Sequence, residues 1–175
     1  MKRFIFPIIL LFLGFGAFSG CEKDDICSES TPTTPAMVID FYEYLNPSVE
    51  KTFLKLEIIE TEIGQDTLVF ENTNTIELPL RTDAQVSTYK FILTYTNINT
   101  QITNEDLLEF RYTKNDIYIS RACGYKSNFS LLESDNQNPN PILTDPAEDD
   151  FWIKELIVKQ PEITNENETH LDLLF

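Results

Sequence analysis

Histidine, glycine and basic side chains are scarce in this sequence. The 175 residues include one His, five Gly and 13 Lys+Arg against 29 Asp+Glu, for a formal charge of −16. Three of the five glycines lie in the first twenty positions, and without Lys2 and Arg3 the formal charge is −18. A chain so acidic has no electrostatic footprint for nucleic acid or for an anionic membrane surface. Gly64 and Gly124, the glycines that remain, cannot form a phosphate-cradling loop. A lone histidine, His170, removes most transition-metal sites, which combine His with Cys or carboxylates. It also leaves little room for nucleophilic catalysis by a Ser/His/Asp or Cys/His set. No cofactor is expected.

The N-terminus is where apolar residues do accumulate. Lys2 and Arg3 precede an apolar stretch from Phe4 to Phe18, followed by the small residues Ser19 and Gly20. That is the layout of a secretory signal peptide over residues 1–20. The stretch is shorter than the roughly 20 residues a membrane-spanning helix needs. Phe18-Ser19-Gly20-Cys21 resembles the lipobox of bacterial lipoproteins, with Phe18 where Leu is commoner. The resemblance implies acylation of Cys21, and several acyl chains at about 0.8 kcal/mol per buried methylene hold a protein on a membrane firmly. Cys21-Glu22-Lys23-Asp24-Asp25 is similar to the acidic export signal of Bacteroidetes-type lipoproteins, which implies the outer face of the outer membrane. A solvated charged linker is the alternative. Residues 22–35 are charged, then rich in Ser, Thr and Pro, and read as a tether. The expected organisation is a lipoprotein signal peptide over 1–20, an acylated Cys21 and tether over 21–35, and one domain over 36–175.

Cys27 and Cys123 are then left as an even pair in a compartment where disulfides persist. Paired, they close a loop of about 100 residues. Unpaired, they are two thiols, one of them buried and inert. Neither spacing fits a zinc site or a Cys-x-x-Cys redox motif.

From Met37 onward the dominant pattern has a period of two. Between Ser87 and Thr96, Tyr89, Phe91, Leu93 and Tyr95 fall on one face, the mark of a half-buried strand. Further strands are expected at Val38–Tyr44, Thr52–Ile59, Thr67–Glu71, Thr75–Leu80, Leu107–Thr113, Ile117–Cys123, Phe129–Leu132 and Thr169–Phe175. Pro79 places Thr75–Leu80 at a sheet edge. Lys114-Asn115 reads as a hairpin turn between two strands. Asp145-Pro146-Ala147-Glu148 carries a helix-start pattern, so a short helical turn near 146–150 is expected to run into a strand over Trp152–Lys159. Short strands with loop signals between them make the fold class all-β, an antiparallel β-sandwich, immunoglobulin-like or similar. The single Trp follows both cysteines, which argues against a true immunoglobulin domain.

Few residues point to chemistry. His170, on the face opposite Leu171, Leu173 and Phe175, is expected to be exposed. Asp145, Glu148, Asp149 and Asp150 form one oxygen-rich cluster and Asn165, Glu166, Asn167 and Glu168 another, and calcium favours such loops. Neither cluster has calcium-loop spacing, and solvated loops account for both, so no metal site is expected. No catalytic residue is assigned, because a glycosidase carboxylate pair depends on separations that the fold sets. Arg121, Tyr125 and Lys126 form the one basic and aromatic knot, a candidate binding site for an anionic group or a sugar. The alternative pairs Arg121 with a neighbouring acid and packs Tyr125 at a strand end. Phe151 and Trp152 are either a ligand platform or core. Asp66-Thr67-Leu68 resembles a short acceptor for O-linked glycans on exported proteins, with Thr67 as the acceptor.

Taken together, Cys21-Glu22-Lys23-Asp24-Asp25-Ile26-Cys27, Phe91-Ile92-Leu93-Thr94-Tyr95, Arg121-Ala122-Cys123-Gly124-Tyr125 and Asn167-Glu168-Thr169-His170 resemble a family of small uncharacterised lipoproteins of flavobacteria and relatives, a domain of unknown function. The resemblance implies export, lipidation and a Cys27–Cys123 bridge, and no activity. The expected function is a non-enzymatic, lipid-anchored binding module with a protein or glycan partner. An assembly or inhibitor protein facing the periplasm, and a carboxylate-based glycan hydrolase, are the alternatives.

Overall fold

A computed structural model describes residues 26–62, 67–97, 100–135 and 137–175. The segment expected to be a signal peptide, Cys21 and the acidic stretch after it lie outside the described residues, as does Asp66. The chain divides into two compact units, one of Met1–Pro32 with Tyr118–Tyr125 and the other of Thr33–Ile117 with Lys126–Phe175.

The second unit is built from strands alone; among the described residues there is no helix, and so none long and apolar enough to cross a membrane. In chain order the strands are β1 (Met37–Glu43), β2 (Asn46–Glu50), β3 (Phe53–Glu60), β4 (Thr67–Thr73), β5 (Thr75–Leu78), β6 (Val86–Asn97), β7 (Thr100–Ser120), β8 (Gly124–Leu131), β9 (Ile142–Thr144), β10 (Glu155–Val158), β11 (Glu162–Ile163) and β12 (Leu171–Leu174). One sheet runs β10-β12-β1-β2, with β5 also on β1, and the other runs β11-β8-β7-β6-β3-β4, with β9 on β7. β1 and β12 run parallel from Ile39↔Leu171 to Tyr42↔Leu174, whereas β1 with β2 and β5, β3 with β4 and β6, β7 with β6 and β9, β8 with β11, and β10 with β12 are antiparallel. The two sheets pack as a β-sandwich.

Side chains alternate between the faces of a strand, so the period-two runs supply the inner faces. Met37, Ile39 and Phe41 of β1, Leu56 and Ile58 of β3, Tyr89, Phe91 and Leu93 of β6, Leu108, Phe110 and Tyr112 of β7, and Leu171 and Leu173 of β12 are all buried in one core. Aromatic edges fasten it, with the Phe41 ring 4.9 Å from Phe53 and Tyr112 5.3 Å from Phe129, both in edge-on geometry. Among the described residues β5 pairs β1 alone, and it stops at Leu78, where Pro79 would forfeit a ladder hydrogen bond.

Two local expectations fail. Lys114-Asn115 is no turn, because β7 runs unbroken from Thr100 to Ser120. Lys114 is spent on Asp116 at 2.9 Å and on the Thr82 carbonyl at 2.7 Å, and Asp116 accepts the Ser127 hydroxyl across from β8 at 2.6 Å. These long-range partners hold the segment extended where a local propensity favours a bend. The chain reverses at 121–123 instead, ahead of Gly124, whose φ of 71° suits a residue with no Cβ.

Residues 146–150 form no helical turn either. Asp145 does accept the Ala147 and Glu148 N–H groups on Oδ1, at 3.0 and 2.9 Å, as an N-cap would. Its Oδ2 then takes the Asp150 N–H at 3.0 Å, while Glu148 and Asp150 adopt φ of 56° and 79°. A left-handed residue at each of these positions turns the chain out of the helical path. The strand beyond is confined to Glu155–Val158.

In the first unit, the described residues hold a Cys27–Cys123 disulfide with an S–S distance of 2.10 Å and a Cα–Cα distance of 5.0 Å. The Tyr118 and Tyr125 rings meet edge-on at 5.3 Å in the same unit.

Candidate functional site

A pocket of about 480 Å³ opens in the second unit, lined by Ile58, Glu60, Leu68, Pro79, Leu80, Arg81, Thr82, Asp83 and Tyr89. Each wall follows from strand alternation. Ile58 and Glu60 are inward positions of β3, Leu68 is the inward residue facing Ile58 across the β3–β4 pair, and Tyr89 pairs with Glu60 from β6. The remaining wall is the segment after β5. β5 stops just before Pro79, and the chain from Pro79 to Asp83 lines the pocket.

That segment is held rigidly by the polar groups beneath it. The Arg81 N–H donates to Ser87 Oγ at 3.1 Å, and the Tyr112 hydroxyl donates to the Arg81 carbonyl at 2.9 Å while lying 2.7 Å from Ser87 Oγ. The Tyr89 hydroxyl donates to the Pro79 carbonyl. Ser87, Tyr89 and Tyr112 are all buried, so these bonds satisfy groups that water cannot reach. A binding wall fixed in this way does not have to be ordered when a ligand arrives.

The rim is charged. Arg81 donates from Nε to Asp83 Oδ1 at 3.0 Å and from Nη2 to Asp83 Oδ2 at 3.1 Å, a two-pronged bond, and its Nη1 lies 3.8 Å from Glu60 Oε1. The Arg81 hydrogen bond holds the Asp83 carboxyl below the usual carboxylate range, and Asp83, Glu60 and Glu62 raise the guanidinium pKa in return. Burial pushes the Tyr89 phenol up to about 12. The acid is therefore ionised, the phenol is neutral, and neither is poised for proton transfer near neutral pH.

The residues singled out by sequence fall elsewhere. Arg121 and Tyr125 belong to the first unit, where both are exposed, Tyr125 touches Tyr118, and Arg121 makes no ion pair among the described residues. Lys126 belongs to the second unit and is half-buried in β8. Thr67 is exposed at the start of β4. Trp152 is core rather than platform: it is 6% exposed, its Nε1–H donates to the Phe91 carbonyl at 3.2 Å, and its ring meets Phe175 edge-on.

His170 is not exposed, contrary to expectation. It is fully buried, and its Nδ1 accepts the Val38 N–H at 2.9 Å, immediately before the β1–β12 pairing begins. Burial lowers its pKa and favours the neutral ring, as an accepting Nδ1 requires. It acts as a strand fastener.

Among the described residues, no group of three or more His, Cys, Asp or Glu is placed to hold a metal ion. Asp145 accepts three backbone N–H groups, and in the second acidic cluster the Asn165 amide donates to Glu168 while Glu166 accepts the Ala36 N–H. Asp106 stands apart from the pocket. It is fully buried, its Oδ2 accepts the Ile153 N–H at 2.9 Å, and burial pushes its pKa up to about 6.

Residues 55–175 match the model of a family of unknown function (DUF6452). The chain belongs to this family. The match takes in every residue that lines the pocket. No curated protein matches the chain, and no solved structure matches it. Sequence reasoning missed the pocket because its lining comes from four separated segments. Pro79, read as placing Thr75–Leu80 at a sheet edge, was the one local sign near this wall.

Proposed function

We propose that this DUF6452 protein is an outer-membrane lipoprotein, acylated at Cys21 and displayed on the cell surface, whose β-sandwich binds a ligand without catalysing a reaction. The observation that carries the binding reading is the pocket: apolar walls of Ile58, Leu68, Pro79, Leu80 and Tyr89, a hydrogen-bonded lip, and a charged rim already neutralised in part by its own pairing. Sites with mostly apolar walls and a few fixed polar groups suit binding. Proton-transfer chemistry has less support there, since the Tyr89 phenol is pushed up to about 12 and Asp83 is tied to Arg81.

Small aromatic and aliphatic fragments at millimolar concentration test the pocket, read by methyl NMR of the full chain in nanodiscs. The Ile58, Leu68 and Leu80 methyl signals are expected to shift while those of Leu171 and Leu173 stay, and Leu68→Glu is expected to abolish the shifts. Fragments that leave the pocket methyls unmoved would end the binding reading.

The address has its own test. Cys21→Ala is expected to release the protein from membranes, and protease treatment of intact cells is expected to remove the native domain while a periplasmic control survives. Survival of the domain until lysis would favour the reading as an envelope assembly or inhibitor protein facing the periplasm.

A further inference from the structure

We infer that the outer edge of β4, beside the pocket, receives an extended peptide segment of a protein partner as an added strand, with one apolar side chain entering the pocket and basic side chains facing its acidic rim. The inference rests on the pocket being a binding site and names what binds there.

β4 ends the larger sheet: it pairs with β3, from Ile59↔Thr67 to Lys55↔Glu71, and has no strand on its other side among the described residues. An edge strand presents a row of unpaired N–H and C=O groups to any extended chain. β4 carries little of the usual protection against this. Thr67–Glu71 contains no Pro and no Lys, whereas β2 contains Pro47 and β5 runs into Pro79. The protection begins at Asn72, whose φ of 52° turns the strand. The usable edge is thus Thr67–Glu71, about 17 Å of strand.

The inner residues of this edge are incompletely covered. Leu68 and Phe70 pack on the core yet stay half-buried, while core-facing Ile58 and Leu56 on neighbouring β3 are fully buried. The difference is what a missing outer strand leaves behind. The pocket lies at the same place, with Leu68 in its wall. A small apolar molecule would fill the pocket and leave the backbone edge bare. An extended peptide matches both features, with main-chain bonds to β4 and alternate side chains pointing inward.

Charge selects the kind of peptide. Glu60, Glu62 and Asp83 act on the guanidinium of Arg81, Lys114 is the second cation beside Asp83, Glu71 is exposed on β4, and the chain carries a formal charge of −16. Lys or Arg in the partner, on the inner face beside Glu60 and Asp83 or on the outer face beside Glu71, complements these acids, and a second copy of so acidic a chain does not.

A phage-displayed library of random twelve-residue peptides, panned on the full acylated chain in nanodiscs after depletion on empty nanodiscs, supplies the probes. The expected winners combine apolar and basic residues. The synthesised winner is expected to slow hydrogen exchange of the outward-facing amides in Thr67–Glu71 at least tenfold. Glu62→Lys, an exposed change that leaves the core intact, is expected to weaken its binding several-fold, and Leu68→Glu more than tenfold. Acidic winners, no winners, or binding that leaves the β4 amides unprotected would overturn the inference. Edge amides already slow in the free protein, together with a dimer in solution, would also overturn it by assigning the edge to a second copy. If fragments still shift the pocket methyls after any of these results, the strand addition alone has failed. If the fragments fail too, the pocket reading falls with it.

Discussion

A chain with both Cys27 and Cys123 changed to alanine is expected to lose about 3–5 kcal/mol of unfolding free energy, read from urea melts at pH 7. The disulfide joins residues 96 apart in sequence. A cross-link of that span removes much of the freedom of the unfolded chain, and the loop-closure model values a 100-residue loop at about 4.7 kcal/mol. Against a typical stability of about 5–15 kcal/mol, that is a large fraction. The loss is carried mainly by the unfolded state, so pocket binding by the folded variant is expected to be unchanged. A loss below about 1 kcal/mol would mean that the reduced, unfolded chain is already compact or that the bridge distorts the native fold.

Asp106→Asn is expected to stabilise the protein relative to its parent as pH rises, by roughly 3 kcal/mol between pH 3.5 and 7.5. The native carboxyl is raised from 3.8 to about 6, chiefly by burial, against the opposing pull of the Ile153 and Trp152 N–H groups. Between pH about 4 and 6 the native state keeps a proton that the unfolded state has lost. Stability from this group therefore falls as pH rises through that window and stays low above it. The amide does not titrate, and its oxygen still accepts the Ile153 N–H, so the variant escapes the fall. Carboxyls held low in the native state, such as Asp83 and Asp116, contribute a slope of opposite sign, which is why parent and variant must be compared at each pH. An unchanged difference between them at pH 3.5 and 7.5 would show that Asp106 does not titrate in this window.

Asp106 also shows why a buried acid can persist in a core. It reaches from β7, opposite Phe91, to the backbone at Ile153, a group that no strand ladder satisfies. Replacing it with Leu would leave that N–H without a partner at every pH. An unpaired buried donor costs about 1–3 kcal/mol, so the carboxylate's desolvation is offset by the loop it anchors.

The pattern of apolar alternation was local and legible. Tyr89, Phe91 and Leu93 announced the inner face of β6, and all three are buried. Tyr95 shares their period but is 40% exposed, because it lies toward the far end of the strand. Pro79 placed its strand at a sheet edge, where β5 pairs with β1, although β5 stops at Leu78 and does not run to Leu80. β2, β9 and β11 carried little signal, being short and lacking a clear apolar period.

Misreadings arose where local preference competed with distant partners. Asn115 suits a turn, yet the ties of Lys114 to Thr82 and of Asp116 to Ser127 keep β7 extended. Asp145 makes the hydrogen bonds of a helix cap, yet the left-handed Glu148 and Asp150 divert the chain. His170 looked outward by alternation, but β1 arrives beside it and supplies the Val38 N–H.

The sequence alone determined that this is an all-β chain with an acidic surface and a single histidine, because side-chain period and net charge are properties of neighbouring residues. It also put Cys27 and Cys123 forward as an even pair. Tertiary structure decided which strands adjoin, that β1 and β12 run parallel, and that Ile58, Leu68, Arg81 and Tyr89 share one pocket. Those facts depend on contacts between residues far apart in the chain, whose formation balances loop-closure entropy against burial of both sheet faces, and no local window contains that balance.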